Sequence, residues 1–168
     1  MLKPSLEKAL NDQINAELYS AYMYLSMSAW FDAAGLPGMA KWMKAQYQEE
    51  MFHVDKFFHY VLERGGKVTL RAIEAPPTEW ASALDAFEKT LSHEQFVTSL
   101  INELASLCMD ERDHATLNFL QWFIAEQVEE EAIAGELVSQ LRMVGQSGHG
   151  MLMIDRELGV RVFTPPVQ

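Results

Sequence analysis

Apolar positions along this chain step by three and four over four long segments, the spacing that lines up one face of an α-helix. The first segment runs from about Ser5, the expected N-cap, to Ala34 and stops at Gly35-Leu36-Pro37-Gly38. The second runs from about Pro37 to Arg64, the third from about Ala81 to Met109, and the fourth from about His114 to Val144. A short piece from about Gly150 to Leu158 reads as a fifth helix before the tail. Only Lys67-Val68-Thr69-Leu70 alternates as a strand would, so the pattern predicts an all-α fold.

Link lengths then predict the topology. The first and second segments are joined by a few residues, and the third and fourth by Asp110-Glu111-Arg112-Asp113, which makes each pair antiparallel neighbours. The link from Gly66 to Glu79 is long and carries Pro76-Pro77. At ~3.3 Å per extended residue it spans about 46 Å. That matches a helix of ~30 residues at ~1.5 Å per residue. The expectation is a four-helix bundle with one lengthwise crossover, in a single domain: bundle about 5–144, short helix about 150–158, tail 159–168.

The stripes are interrupted in a telling way. They read Leu10, Ile14, Glu17, Ala21, Tyr24; Met43, Tyr47, Glu50, His53, Phe57; Phe87, Leu91, Glu94, Thr98, Ile101; and Phe123, Gln127, Glu130, Ala134, Leu137. A carboxylate in a bundle core is costly unless paired or bound to metal. One such acid could be a stripe drawn a position off, but four at mid-helix are not explained that way. Glu94 and Glu130 both lie about 18 residues from their shared turn, and Glu17 and Glu50 about 19 and 14 from theirs, an offset of roughly 7 Å. The stripes carry no Lys or Arg to neutralise these acids. Hard cations would, and carboxylates plus one imidazole suit iron, manganese or zinc.

Glu50-x-x-His53 places two ligand types on one helix face at i and i+3. The other half of the chain has Gln127-x-x-Glu130 instead of a matching pair. Two metal positions would therefore be unequal, one with His53 and one all-oxygen, with Glu50 between them. Glu111-x-x-His114 lies at a turn about 25 Å from Glu94 along the axis and is set aside. His93 and His59 fall off the stripes and are expected at the surface, His149 sits in a glycine-rich turn, and Glu131 reads as solvated. Glu49 beside Glu50, with Glu126 and Glu129 beside Glu130, could form a third, outer metal position.

Composition narrows the function classes. The 168 residues are 49% hydrophobic and 22% charged, with a formal net charge of -11. An acidic chain is a poor partner for nucleic acid, whose phosphates need clustered Lys and Arg. A single cysteine, Cys108, rules out an internal disulfide and a Cys-based metal site. No leader and no membrane span are expected, so the cytoplasm is the default location.

The opening Met1-Leu2-Lys3-Pro4, Glu17-Leu18-Tyr19-Ser20 with Tyr24, Gln48-Glu49-Glu50-Met51-x-His53, His93-Glu94-Gln95, Ile101-Asn102-Glu103-Leu104-Ala105, Asn118-Phe119-Leu120-Gln121-Trp122 and Glu126-Gln127-x-Glu129-Glu130-Glu131 stand out as motifs. Together they resemble the bacterial non-haem ferritins. The resemblance implies a ferritin-like bundle forming a hollow homo-oligomer of 24 subunits. Such a shell oxidises Fe(II) with dioxygen or peroxide and stores ferric mineral, without haem. It further implies that Glu17, Glu50 and His53 hold one iron and Glu50, Glu94 and Glu130 the other. Gln127 would orient bound oxygen and Tyr24 would bond near the site and donate an electron. Glu49, Glu126, Glu129 and Glu130 would form the third position.

Two departures accompany it. Ala115-Thr116-Leu117-Asn118-Phe119-Leu120 has no acid where animal ferritins line their three-fold channels. Met51 stands where bacterioferritins keep a haem methionine, although the Gln127 pattern favours the non-haem branch. The alternatives are a bacterioferritin-type or rubrerythrin-type di-iron oxidase or peroxidase. Val160-Arg161-Val162-Phe163 in the tail carries no interpretable motif.

Overall fold

A computed structural model describes residues 2–166; Met1 and the last two residues of the expected tail, Val167 and Gln168, lie outside the described residues. Among the described residues five helices follow one another: α1 (Pro4–Ala33), α2 (Pro37–Glu63), α3 (Ala83–Asp110), α4 (His114–Val144) and α5 (Gly148–Leu158). No strand occurs among the described residues, and Lys67 to Leu70 runs as irregular chain.

The helix starts show how local chemistry sets the boundaries. Ser82 accepts from the Asp85 amide at 3.1 Å, Asp113 from Thr116 at 3.0 Å and Ser147 from Gly150 at 3.3 Å, each capping the helix that follows. The expectation that Ser5 caps α1 is corrected. Pro4 opens that helix, where its missing N–H costs nothing. The Ser5 hydroxyl instead donates to Glu111 at 2.7 Å. The expected start of α5 moves back to Gly148, because Ser147 supplies the cap.

The ends of α1, α2 and α3 share one device. Leu36 N–H donates to Phe31 and Gly35 N–H to Asp32, and the same double bond recurs at Gly65-Gly66 and at Arg112-Asp113. The pivot residue takes positive φ each time, as Gly35 (78°), Gly65 (71°) and Arg112 (53°). Arg112 is the non-glycine exception.

α1 pairs with α2 and α3 with α4, while α1 also packs on α3. Residues 64–82 cross over lengthwise along α1, held at successive points. Asn11 bonds Lys67 and Thr69, Arg71 pairs with Asp12 at 2.6 Å, Ser26 donates to the Pro77 carbonyl at 2.6 Å, and Trp80 packs on Trp30. The long link is thus an ordered strap.

The core divides in two. One apolar cluster holds Tyr24, Phe31, Met39, Trp42, Phe87 and Leu141; the other holds Leu10, Ile14, Phe57, Ile101, Leu120 and Phe123. Each long helix passes from one cluster to the other at its mid-helix acid. Glu17, Glu50, Glu94 and Glu130 therefore meet between two dry plugs, each exposed by 4% or less. No helix among the described residues is long and apolar enough to cross a membrane.

Candidate metal centre

Glu17 comes from α1, and Glu50 and His53 from adjacent turns of α2. Each offers one ligand atom, and the three atoms lie within 4.8 Å of one another. His53 Nδ1 is 3.2 Å from Glu50 Oε2 and 3.9 Å from Glu17 Oε2. Yet neither of those carboxylate oxygens has a hydrogen-bond partner. Buried oxygens are rarely left so. Atoms that converge without bonding one another are what a shared cation requires. The imidazole is wedged edge-on between Trp122 (5.4 Å) and Phe123 (5.7 Å), which fixes its plane.

Across the bundle, α3 and α4 contribute Glu94, Gln127 and Glu130. The Tyr24 hydroxyl donates to Glu94 Oε1 in a short bond. Gln127 Nε2 reaches both the Glu94 carbonyl and Glu94 Oε2, at 3.2 Å each. Two further glutamines hold two of the other acids. Gln13 donates to Glu17 Oε1 and Gln46 to Glu130 Oε2, both at 2.9 Å. Each of three carboxylates therefore has one oxygen held by an amide, which orients the other.

The electrostatics follow from crowding acids in a dry space. Burial pushes the Glu17 carboxyl up to about 8, and Glu50 beside it adds to the shift. Burial likewise raises Glu94 to about 8, reinforced by Glu130. Glu50 is held well above the ordinary carboxyl range by burial and then by Glu94. Tyr24 is raised by burial and by Glu94, so it stays a neutral phenol and a donor. Divalent cations bound by these carboxyls would replace their protons.

A second acidic group adjoins the first. Glu49, Glu126 and Glu130 each offer an oxygen, again within 4.8 Å of one another. Glu130 thus faces both groups. Glu129 is exposed on α4 and is not among the three acids whose oxygens converge. Burial, then Glu130, raises Glu49 to about 7.

Two surface expectations are corrected. His93 is half-buried where α3 meets α1, 2.7 Å from Ser20 Oγ and against the rings of Tyr19 and Tyr24. Burial pushes it down to about 4, leaving it uncharged at neutral pH. Glu131 is half-buried too and accepts from Thr98 at 2.6 Å. His59 is exposed as expected, and Glu111 is occupied by Lys3 and Ser5. Sequence reasoning missed Gln13, Gln46 and Arg161. Gln13 precedes Glu17 by one turn and was legible on that ground. Gln46 bonds across to α4, and Arg161 reaches Glu49 at 2.5 Å from beyond α5.

With this geometry in hand, the likeness to known proteins is specific. A ferritin-like domain family matches residues 7–144. A probable bacterial non-heme ferritin-like protein of Haemophilus influenzae is 43% identical over 159 residues, spanning 95% of this chain and 96% of that one. A bacterial non-heme ferritin of Escherichia coli is 40% identical over 158 residues, spanning 94% and 96%. Among solved structures, a closed form of the Archaeoglobus fulgidus ferritin engineered by site-directed mutagenesis superposes with a TM-score of 0.96 at 52% identity, covering 98% of this chain and 100% of that one. An open-pore ferritin from the same archaeon gives 0.95 at 52% identity, covering 96% and 99%. Relatives this similar, aligned across all four bundle helices, establish that the chain belongs to the bacterial non-haem ferritin family.

Proposed function

We propose that the protein stores iron, oxidising Fe(II) at an asymmetric two-metal centre inside each subunit and holding the ferric product within a homo-oligomeric shell. The observation that carries this reading is the convergence of His53 Nδ1 with unbonded oxygens of Glu17 and Glu50 between two apolar clusters.

In this reading Glu17, Glu50 and His53 receive one Fe(II), and Glu50, Glu94 and Glu130 the other. Glu50, which interacts electrostatically with both Glu17 and Glu94, would be the carboxylate shared between the two positions. Two Fe(II) supply two electrons to one dioxygen or peroxide, which neither ion supplies alone. The residues of the chain do the rest. Gln13, Gln46 and Gln127 hold three carboxylates in place, and the Tyr24 phenol keeps a proton on the edge of the centre. The two apolar clusters close the centre on either side. Iron is substrate here as well as occupant, and the chain needs no haem. The outer group of Glu49, Glu126 and Glu130 is a third position, through which ions move to or from Glu130. The proposed assembly is a shell of 24 subunits acting in the cytoplasm. The curated relatives are non-heme ferritins, which favours this reading over a bacterioferritin-type or rubrerythrin-type oxidase.

Aerobic addition of Fe(II) to wild type and to Glu50→Ala, followed by ferric absorbance, tests the assignment. Loss of the shared carboxylate should slow the initial phase by roughly tenfold or more, as loss of metal-site partners does. Equal rates would overturn it.

A further inference from the structure

The outer acidic group already has a cation beside it, and it belongs to the chain itself. After α5 the tail turns back along α2. Its Arg161 places Nη2 2.5 Å from Glu49 Oε2, with the guanidinium 4.6 Å over the Trp42 ring. Two residues on, Phe163 packs against Phe52 on the same helix. The root of this segment is fixed, because Asp155 of α5 accepts from the Met39 amide at 2.9 Å and the backbones of Gly38 and Asp155 are in contact. Arg161 therefore reaches Glu49 from an anchored base only six residues away in sequence.

The grip is half-made. An arginine fork can satisfy a carboxylate with two parallel bonds. Here one arm meets Glu49, while Nη1 is buried without an acceptor. The Trp42 stack and the single ion pair hold the side chain, and the unsatisfied arm weighs against them. The contact is therefore one bond short of a full fork.

We propose that Arg161 is a built-in competitor for the outer metal position, occupying Glu49 until a divalent cation displaces it and frees the tail. This rests on the reading of Glu49, Glu126 and Glu130 as a metal position. It makes that position conditional: an ion must evict the guanidinium to gain Glu49, so the outer position fills after the inner two. Linkage makes the effect reciprocal, since whatever frees the tail tightens the metal and the metal loosens the tail.

Zn(II), which does not change oxidation state, is the probe. It is titrated calorimetrically into iron-stripped, assembled wild type, Arg161→Gln, Glu49→Gln and the double variant. If the guanidinium holds Glu49 in about nine subunits in ten, its removal tightens the outer class of sites by roughly tenfold. Glu49→Gln should abolish that class in either background. In wild type, Zn(II) should also speed hydrogen exchange of tail amides beyond Gly159, and not in Glu49→Gln. Arg161→Gln with wild-type affinity, while Glu49→Gln still loses the class, overturns the competition and leaves the outer position standing. Tail exchange unmoved by bound Zn(II) overturns it as well. A Glu49→Gln titration identical to wild type instead removes the outer position, and the competition with it.

Discussion

At the scale of single residues, burial holds three acids of the centre, Glu17, Glu50 and Glu94, above the ordinary carboxyl range. Glu17 and Glu94 are lifted by burial from 4.5 to about 8. A carboxyl raised in the folded state holds its proton there. Its contribution to stability is fully present below about 4.5 and is lost as the pH climbs through about 8. Metal-free protein should therefore show a melting midpoint that falls between these limits, with a shallower fall in Glu17→Gln and Glu94→Gln. A midpoint that rises over that range would contradict the desolvated cluster. Loading with Zn(II) should flatten the same curve, because the cation replaces the protons.

Tyr24 can be tested independently of pH. Its hydroxyl donates to Glu94 Oε1 from a fully buried position. Tyr24→Phe keeps the ring and its packing but leaves that oxygen without its donor. The expected outcome is a slower oxidation of Fe(II), by several-fold, with metal stoichiometry unchanged in the same preparation. A drop in stoichiometry would instead place the phenol among the groups that shape binding itself.

Among the elements, α5 is the joint to examine. The residue before α2, Leu36, makes no side-chain cap, and the Asp155 carboxylate from α5 serves the Met39 amide in its place. One helix thus caps another, a contact that sequence spacing could not suggest. The fit depends on Gly38: a Cβ there would stand 1.6 Å from the Asp155 carbonyl oxygen. Gly38→Ala must push α5 away, at a cost of about 1–3 kcal/mol typical of overpacking. Hydrogen exchange should then accelerate across residues 148–158 while the amides of α1 and α3 keep their protection. Uniform acceleration in all helices would mean that α5 is part of one cooperative unit with the bundle. Asp155→Ala should weaken the same joint more mildly, by about 1 kcal/mol for a lost cap.

For the whole molecule, the bundle presents a centre closed at both ends by apolar clusters and an acidic exterior. Storage requires a cavity larger than any space within one chain, so the proposed function stands on assembly. Light scattering of the purified protein should give a mass near 24 times the 19.1 kDa subunit. A particle near the mass of one chain would remove storage while leaving metal binding intact.

The division between sequence and structure follows from the range of each interaction. Helix periodicity and the turns at Gly35 and Gly65 are local, set by neighbours three or four residues apart. The bundle and its boundaries were therefore legible to within a few residues. The level of the four acids was legible too, because helical rise turns a residue count into a depth. So was the pairing of Glu50 with His53, a matter of one turn. Partners across helices were not. Gln46 lies one turn before Glu50 but bonds Glu130, and His93 lies beside Glu94 but lodges against Ser20. Both depend on how the helices rotate against each other, which no periodicity records. Least legible was Arg161, in an irregular tail whose path is decided by the docking of α5. Sequence alone determined which acids would share a core and at what depth. Only the tertiary structure decided which neutral and cationic groups would meet them, because those contacts come from side chains far apart in sequence that packing brings together.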